Sequence, residues 1–225
     1  MTTPRDAFLQ RVREAVRAGN RLTEAPAAPV RQSVGYQGGG PDLAATFEER
    51  LAAVGGRTYR VADLAAAVDQ VSELARAVSA RRVLLGHGPL LDLLPLADRL
   101  VELNLEVVHA SQVGSDTARD VFFAADIGIS GVDYLVAETG SMVLRARRDN
   151  PRSLSLLPPV FVAVAGRSQV LPDLFDLFTV IGPGPELASG LTLITGPSKT
   201  GDIELRLVTG VHGPGDIHVV VVESA

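Results

Sequence analysis

Three groups of residues combine reactive side chains with glycine turns that could present them. The first is G-V-D-Y-L-V-A-E-T-G-S-M-V-L, residues 131–144, in which Glu138 ends an apolar strand beside the turn Thr139-Gly140-Ser141. Strand alternation would put Tyr134, Val136 and Glu138 on one face and Leu135, Ala137 and Thr139 on the other. A carboxylate desolvated there is suited to act as acid, base or nucleophile. The alternative is a glutamate at a sheet edge, facing water or paired with Arg145 or Arg147. The second is L-T-L-I-T-G-P-S-K-T-G-D-I-E, residues 191–204, which reads as strand, loop, helix. Such a loop offers backbone N–H groups and a positive helix end, so Ser198, Lys199 and Thr200 could hold a carboxylate or phosphate, with Asp202 in the first helical turn. It is not a Walker A loop, because Lys199-Thr200 precedes Gly201 instead of following a glycine. The plainer reading makes Ser198 or Thr200 a helix cap, with Asp202 and Glu204 complementing the dipole. The third is a pair of His-Gly-Pro turns, at His87 and His212. His87 follows a strand and belongs at the ligand-binding edge of a parallel sheet; His212 precedes a strand and falls at the opposite edge. A turn histidine can equally be a hydrogen-bonded element of the turn itself.

The elements that must position these residues alternate along the chain. Helices are predicted at 41–54, 63–78, 90–103, 116–124, 172–180 and 202–209. Strands are predicted at 57–61, 83–85, 105–109, 126–130, 134–139, 141–145, 160–165, 191–195 and 217–223. The turn at 139–141 is too short for a crossover, so its flanking strands pair antiparallel. The final run I-H-V-V-V-V-E is β-branched, as a strand buried on both faces should be. The fold class is therefore α/β: a three-layer Rossmann-like sheet with an antiparallel insertion. Residues 1–40 read as an N-terminal helical arm, begun by Thr3-Pro4, followed by a Pro/Gly-rich linker; residues 41–225 form the α/β domain.

Composition narrows the chemistry. Hydrophobic residues make up 46% but aromatics only 4%, which suits Ala/Leu-rich helices on a parallel sheet better than an aromatic-cored sandwich. The net charge of −5 gives no counterion-release gain on nucleic acid, so that partner is not expected. The 225 residues contain no cysteine, which removes thiolate nucleophiles, thiolate metal sites and iron–sulfur ligation from this chain. No His/Asp/Glu spacing suggests a metal. Without a signal-type apolar core or a membrane-length apolar run, a cytoplasmic chain with no membrane span is expected.

Four segments carry a resemblance: D-I-G-I-S-G-V-D-Y-L-V-A-E-T-G-S-M-V-L, L-P-P-V-F-V-A-V, G-P-S-K-T-G-D-I-E and G-V-H-G-P-G-D-I-H-V-V-V-V. In order and spacing they resemble the LUD domain family, over residues 41–225. The resemblance implies a fold similar to the sugar-isomerase and CoA-transferase group. Its signature positions fall on Asp133, Glu138, Thr139, Gly140, Pro197, Ser198, Thr200, Asp202, Glu204, His212, Gly213 and Pro214. It also implies a cluster-free subunit of a cytoplasmic system oxidising L-lactate to pyruvate, binding a small carboxylate or partner subunits. No cofactor is expected in this chain, and the iron–sulfur clusters would sit on partner proteins. Two other readings are an acyl- or CoA-transferase-like enzyme using Glu138, and a non-catalytic structural or regulatory subunit.

Overall fold

The computed structural model describes residues 3–19, 39–181, 190–200 and 208–225. The chain divides into two units, Met1–Tyr36 and Gln37–Ala225. In the first, helix α1 (Pro4–Gly19) starts where expected: Thr3 Oγ1 accepts from the Asp6 amide and donates to its carboxylate. None of its residues is buried, and Phe8, Val12 and Val16 stand exposed along one stripe.

The second unit begins with helix α2 (Leu43–Ala53), N-capped by Asp42, then strand β1 (Arg57–Val61). Helix α3 (Leu64–Ala77), N-capped by Asp63, leads to β2 (Arg82–Leu85). The single helix expected at 90–103 is interrupted. A 3₁₀ turn at Leu91–Leu93 and helix α4 (Leu96–Glu102) flank Leu94, which is extended at φ −89°, ψ 134°. Pro95 is the cause: it excludes the helical conformation from the residue before it and has no N–H to bond back. Next come β3 (Glu106–His109), a 3₁₀ turn at Ala110–Gln112, α5 (Ala118–Phe123) and β4 (Ile127–Gly131). Strands β5 (Tyr134–Val136) and β6 (Ser141–Arg145), helix α6 (Ser153–Leu156) and strand β7 (Val160–Gly166) follow. The described chain closes with β8 (Val170–Leu171), α7 (Leu174–Ile181), β9 (Leu191–Ile194), β10 (Lys199–Thr200), β11 (Val208–Thr209) and β12 (Asp216–Val222).

Six strands form a wholly parallel sheet in the order β1-β12-β7-β4-β2-β3. Both its faces are covered, which is why these strands read as unbroken apolar runs. On one face Val83, Ile129, Val162 and Val220 pack with α3 and α4. On the other, Leu84, Phe161, Ala163 and Val219 meet Phe47 and Leu51 of α2, Phe122 of α5, and Leu135 and Met142 of a second sheet. That smaller sheet, β8-β5-β6-β9, carries the expected antiparallel hairpin β5–β6, and its β5–β8 pair is parallel. Leu177 of α7 covers its outer face against Val136 and Val143. Each fully buried Leu, Phe or Val contributes about 1.5–3 kcal/mol, so this two-sided burial dominates the stability.

Among the described residues, one titratable side chain is buried within the large sheet, on β12 beside the edge strand β1. His218 on β12 is 3% exposed. Its Nδ1 lies 3.2 Å from the Tyr59 hydroxyl, and among the described residues nothing bonds Nε2. Burial pushes its pKa below the ordinary value, assisted by Arg57 and opposed by Asp216. The folded protein therefore keeps His218 neutral at a pH where the unfolded chain takes up a proton. No penalty exists above about pH 6.5, and stability is lost as the pH falls below it towards the folded-state value. Urea midpoints at pH 7.5 and 5.0 should differ more for the native chain than for His218→Phe; equal differences would exclude this role.

Candidate functional site

The two glycine turns singled out in the sequence do come together. β6 pairs antiparallel with β9, Met142 opposite Ile194, so the turn before one and the turn after the other share an end of the small sheet. There the Ser141 hydroxyl lies 2.6 Å from that of Thr195 and 2.7 Å from that of Thr139. What fills the junction, however, is the carboxyl end of α2. Gly140 has φ +65°, and a Cβ on it would lie 2.5 Å from the Leu51 amide nitrogen. Gly196 has φ +80°, with its Cβ position 2.7 Å from Val54 Cγ2. Lys199 Nζ donates to the Val54 carbonyl at 2.6 Å. A helix carboxyl end carries partial negative charge, which a lysine neutralises and an anion would oppose.

Residues 201–207, where most of the helix expected at 202–209 would fall, lie outside the described residues; its last two residues are corrected. Lys199–Thr200 is strand β10, paired antiparallel with β11, so Val208–Thr209 is extended and not the end of a helix. Thr200, Val208 and Thr209 are β-branched, and cross-strand pairing suits them. The Ser198 amide donates to the Pro214 carbonyl at 2.9 Å, and the Ser198 carbonyl accepts from Gly210 at 2.8 Å. Gly213 lies against Ser198, its Cβ position 3.1 Å from the serine Cβ. Ser198, Gly213 and Pro214 thus join two turns. Asp202 and Glu204 fall outside the described residues.

Glu138 is half-buried, but β5 ends at Val136, so the alternation expected to reach it stops short. Its amide donates to the Pro172 carbonyl at 3.0 Å, and among the described residues nothing hydrogen-bonds its carboxylate. The arginines considered as its partners serve Asp133 instead. Arg147 reaches Asp133 Oδ1 at 2.6 Å, and the Arg145 amide reaches Oδ2 at 2.8 Å.

The two histidines separate as their order predicts. His212 is exposed in the turn that enters β12, though it follows strand β11 and not a helix. His87 lies at the carboxyl edge, just past the end of β2. The chain leaves β2 towards β3 on one side and leaves β4 towards β7 on the other. The loops after β2 and β4 therefore flank the point where strand order reverses, where open α/β sheets place ligands. Gly88 and Gly131 touch across that point: a Cβ on Gly131 would lie 2.6 Å from Gly88 Cα and 3.3 Å from the His87 carbonyl oxygen. Beneath them a buried pair, Ser130 and Asn150, exchanges hydrogen bonds at 3.0–3.2 Å.

His87 is held from both sides. Its Nδ1 is 3.1 Å from Asp92 Oδ1 and its Nε2 is 3.1 Å from Ser111 Oγ. It borders a cleft of about 270 Å³ that also takes in Leu85, Leu91, Leu94, Leu96 and His109. Two imidazoles and a carboxylate thus edge an apolar hollow at the carboxyl ends of β2 and β3, with the Ser111 hydroxyl on the far nitrogen of one of them. Sequence reading found His87 and missed Asp92, His109 and Ser111. The register explains the meeting: Leu85 pairs with His109, so the residues two places beyond each strand end, His87 and Ser111, arrive level.

A family model for the LUD domain matches residues 44–222. The chain belongs to the LUD domain family. Within that family it is 31% identical over 169 residues to lactate utilization protein C of Halalkalibacterium halodurans, spanning 73% of this chain and 71% of that protein. It is 37% identical over 104 residues to lactate utilization protein C of Bacillus licheniformis, covering 44% of this chain and 43% of the relative. Lactate utilization protein B of Bacillus subtilis matches at 33% over 104 residues, only 21% of its length. A crystal structure of a DUF162 family protein from Deinococcus radiodurans superposes with a TM-score of 0.56 at 22% identity, covering 80% of this chain and 95% of that one. At that identity the likeness shows the fold alone.

Proposed function

We propose that this LUD domain serves L-lactate utilization as the cysteine-free member of a multi-protein cytoplasmic system. The observation that carries the reading is the similarity over 73% of the chain to a lactate utilization protein C. Oxidising lactate to pyruvate removes two electrons and two protons, and a chain of 225 residues without cysteine offers no thiolates to hold an iron–sulfur cluster. The electron carriers then belong to partner iron–sulfur proteins, and this chain binds the small carboxylate or docks those partners. Among the described residues no helix is long and apolar enough to cross a membrane, in keeping with that setting.

The cleft beside His87 suits a small carboxylate better than the glycine turns do. The His109 imidazole in the cleft wall can donate to its oxygens, while Leu85, Leu91 and Leu94 take a short carbon chain. Deleting the gene should abolish growth on L-lactate as sole carbon source and leave growth on pyruvate unchanged, with the native gene restoring it. Unimpaired growth of the deletion strain on L-lactate would refute the reading.

A further inference from the structure

The geometry points to an activity beyond lactate utilization: Ser111 is a nucleophile for acyl transfer from a short-chain ester or thioester, with His87 as its base and Asp92 orienting that base. The three side chains stand in line in the order such a reaction requires. Asp92 Oδ1 accepts from His87 Nδ1 at 3.1 Å, which places the imidazole proton on Nδ1 and turns the Nε2 lone pair towards Ser111. The Ser111 O–H then donates to Nε2 at 3.1 Å. Asp92 is held in turn by the Gly88 amide, which donates to the same oxygen at 3.4 Å. Nucleophile, base and orienting carboxylate are recognised by these roles, whatever their order in the chain.

Position supports the chemistry. Ser111 is exposed at the carboxyl edge of the parallel sheet, open to a substrate. The adjoining cleft is apolar through Leu85, Leu91, Leu94 and Leu96, and at about 270 Å³ it fits a short acyl chain. Among the described residues, none of those singled out at the glycine turns has a comparable base, and Ser141 meets the hydroxyls of Thr139 and Thr195.

The step balances without any further oxidant or reductant. Ser111 Oγ forms a bond to the carbonyl carbon as its proton passes to His87 Nε2. The bond from that carbon to the alcohol oxygen or thiol sulfur breaks, and the leaving group takes the proton from Nε2. Water then attacks the acyl-serine, giving a proton to Nε2 that returns to Ser111 Oγ as the carboxylic acid departs. The sum is ester plus water to acid plus alcohol, or thioester plus water to acid plus thiol.

The test uses the purified full chain and a fluorophosphonate probe, read by intact mass and peptide mapping. The native chain should take one probe at Ser111, and Ser111→Ala should take none. His87→Gln should label roughly 100-fold more slowly, because a positioned base contributes on that order. Ser111 and His87 lie at the surface, so circular dichroism and melting curves should match among the three proteins. No label at Ser111 in the folded native chain, or an unchanged rate in His87→Gln, would overturn the inference. Lactate plays no part in the assay, so its failure and the failure of the growth test are distinguishable.

Discussion

Gly140→Ala should lower the melting temperature by roughly 6–12 °C. Two independent effects add. Gly140 adopts φ +65°, which costs a residue with a Cβ about 1–2 kcal/mol. The added carbon would also lie 2.5 Å from the Leu51 amide nitrogen and 2.7 Å from the Arg50 carbonyl carbon, both backbone atoms of α2. Neither can swing aside as a side-chain tip could, and overpacking of this kind costs about 1–3 kcal/mol. The sum is about 3 kcal/mol, and a domain of this size loses roughly 2–4 °C for each. Gly114 is the control: a Cβ there has Thr117 Oγ1 no closer than 4.0 Å, and its φ is not positive. Differential scanning calorimetry of the two variants decides; a Gly140→Ala chain melting with Gly114→Ala would refute the packing described at the end of α2.

Gly131→Ala tests a different junction. The new Cβ would lie 2.6 Å from Gly88 Cα, so the loop after β2 must move away from the end of β4. That loop carries His87 in its turn, and the Ser130–Asn150 pair lies next to it in the chain or in space. Stability should fall by about 1–3 kcal/mol, and His87 should lose its alignment with Asp92 and Ser111. A shift of only 1 Å in a reacting group can cost roughly 100-fold in rate. Gly131→Ala should therefore cut fluorophosphonate labelling by that order, measured well below its melting temperature, whereas Gly140→Ala should leave it near the native rate. Equal labelling of Gly131→Ala and the native chain would show that the Gly88–Gly131 contact does not position His87.

Much of this fold could be read from local pattern. The β-branched run of β12, the caps Asp42 and Asp63 and the short turn between β5 and β6 each state their conformation within a few residues. Pro95 could have been read as a break in the helix expected at 90–103, since its effect on Leu94 is local. The hairpin of β10 and β11 could not: its strands are two residues each, and their pairing competes with a helical spacing in the sequence between. The convergence of the two glycine turns was legible as a pair of loops beside strands, but not that α2, some ninety residues earlier than one of them, supplies the atoms they close on. The His87 cleft lay further out of reach. Asp92 lies in the turn after β2, His109 and Ser111 at and just past the end of β3, and the pairing of Leu85 with His109 aligns them.

Which of the two places receives a ligand is open to direct observation. Imidazole and backbone amide resonances of the isotopically labelled chain can be followed while L-lactate and pyruvate are added. If the cleft at the carboxyl ends of β2 and β3 is the binding site, the His87 and His109 ring signals and the Ser111 amide will shift and saturate together, while the amides of Thr139–Ser141 and Thr195–Ser198 hold still. Movement at those turns with a silent cleft, or no movement anywhere at saturating concentrations, would contradict it.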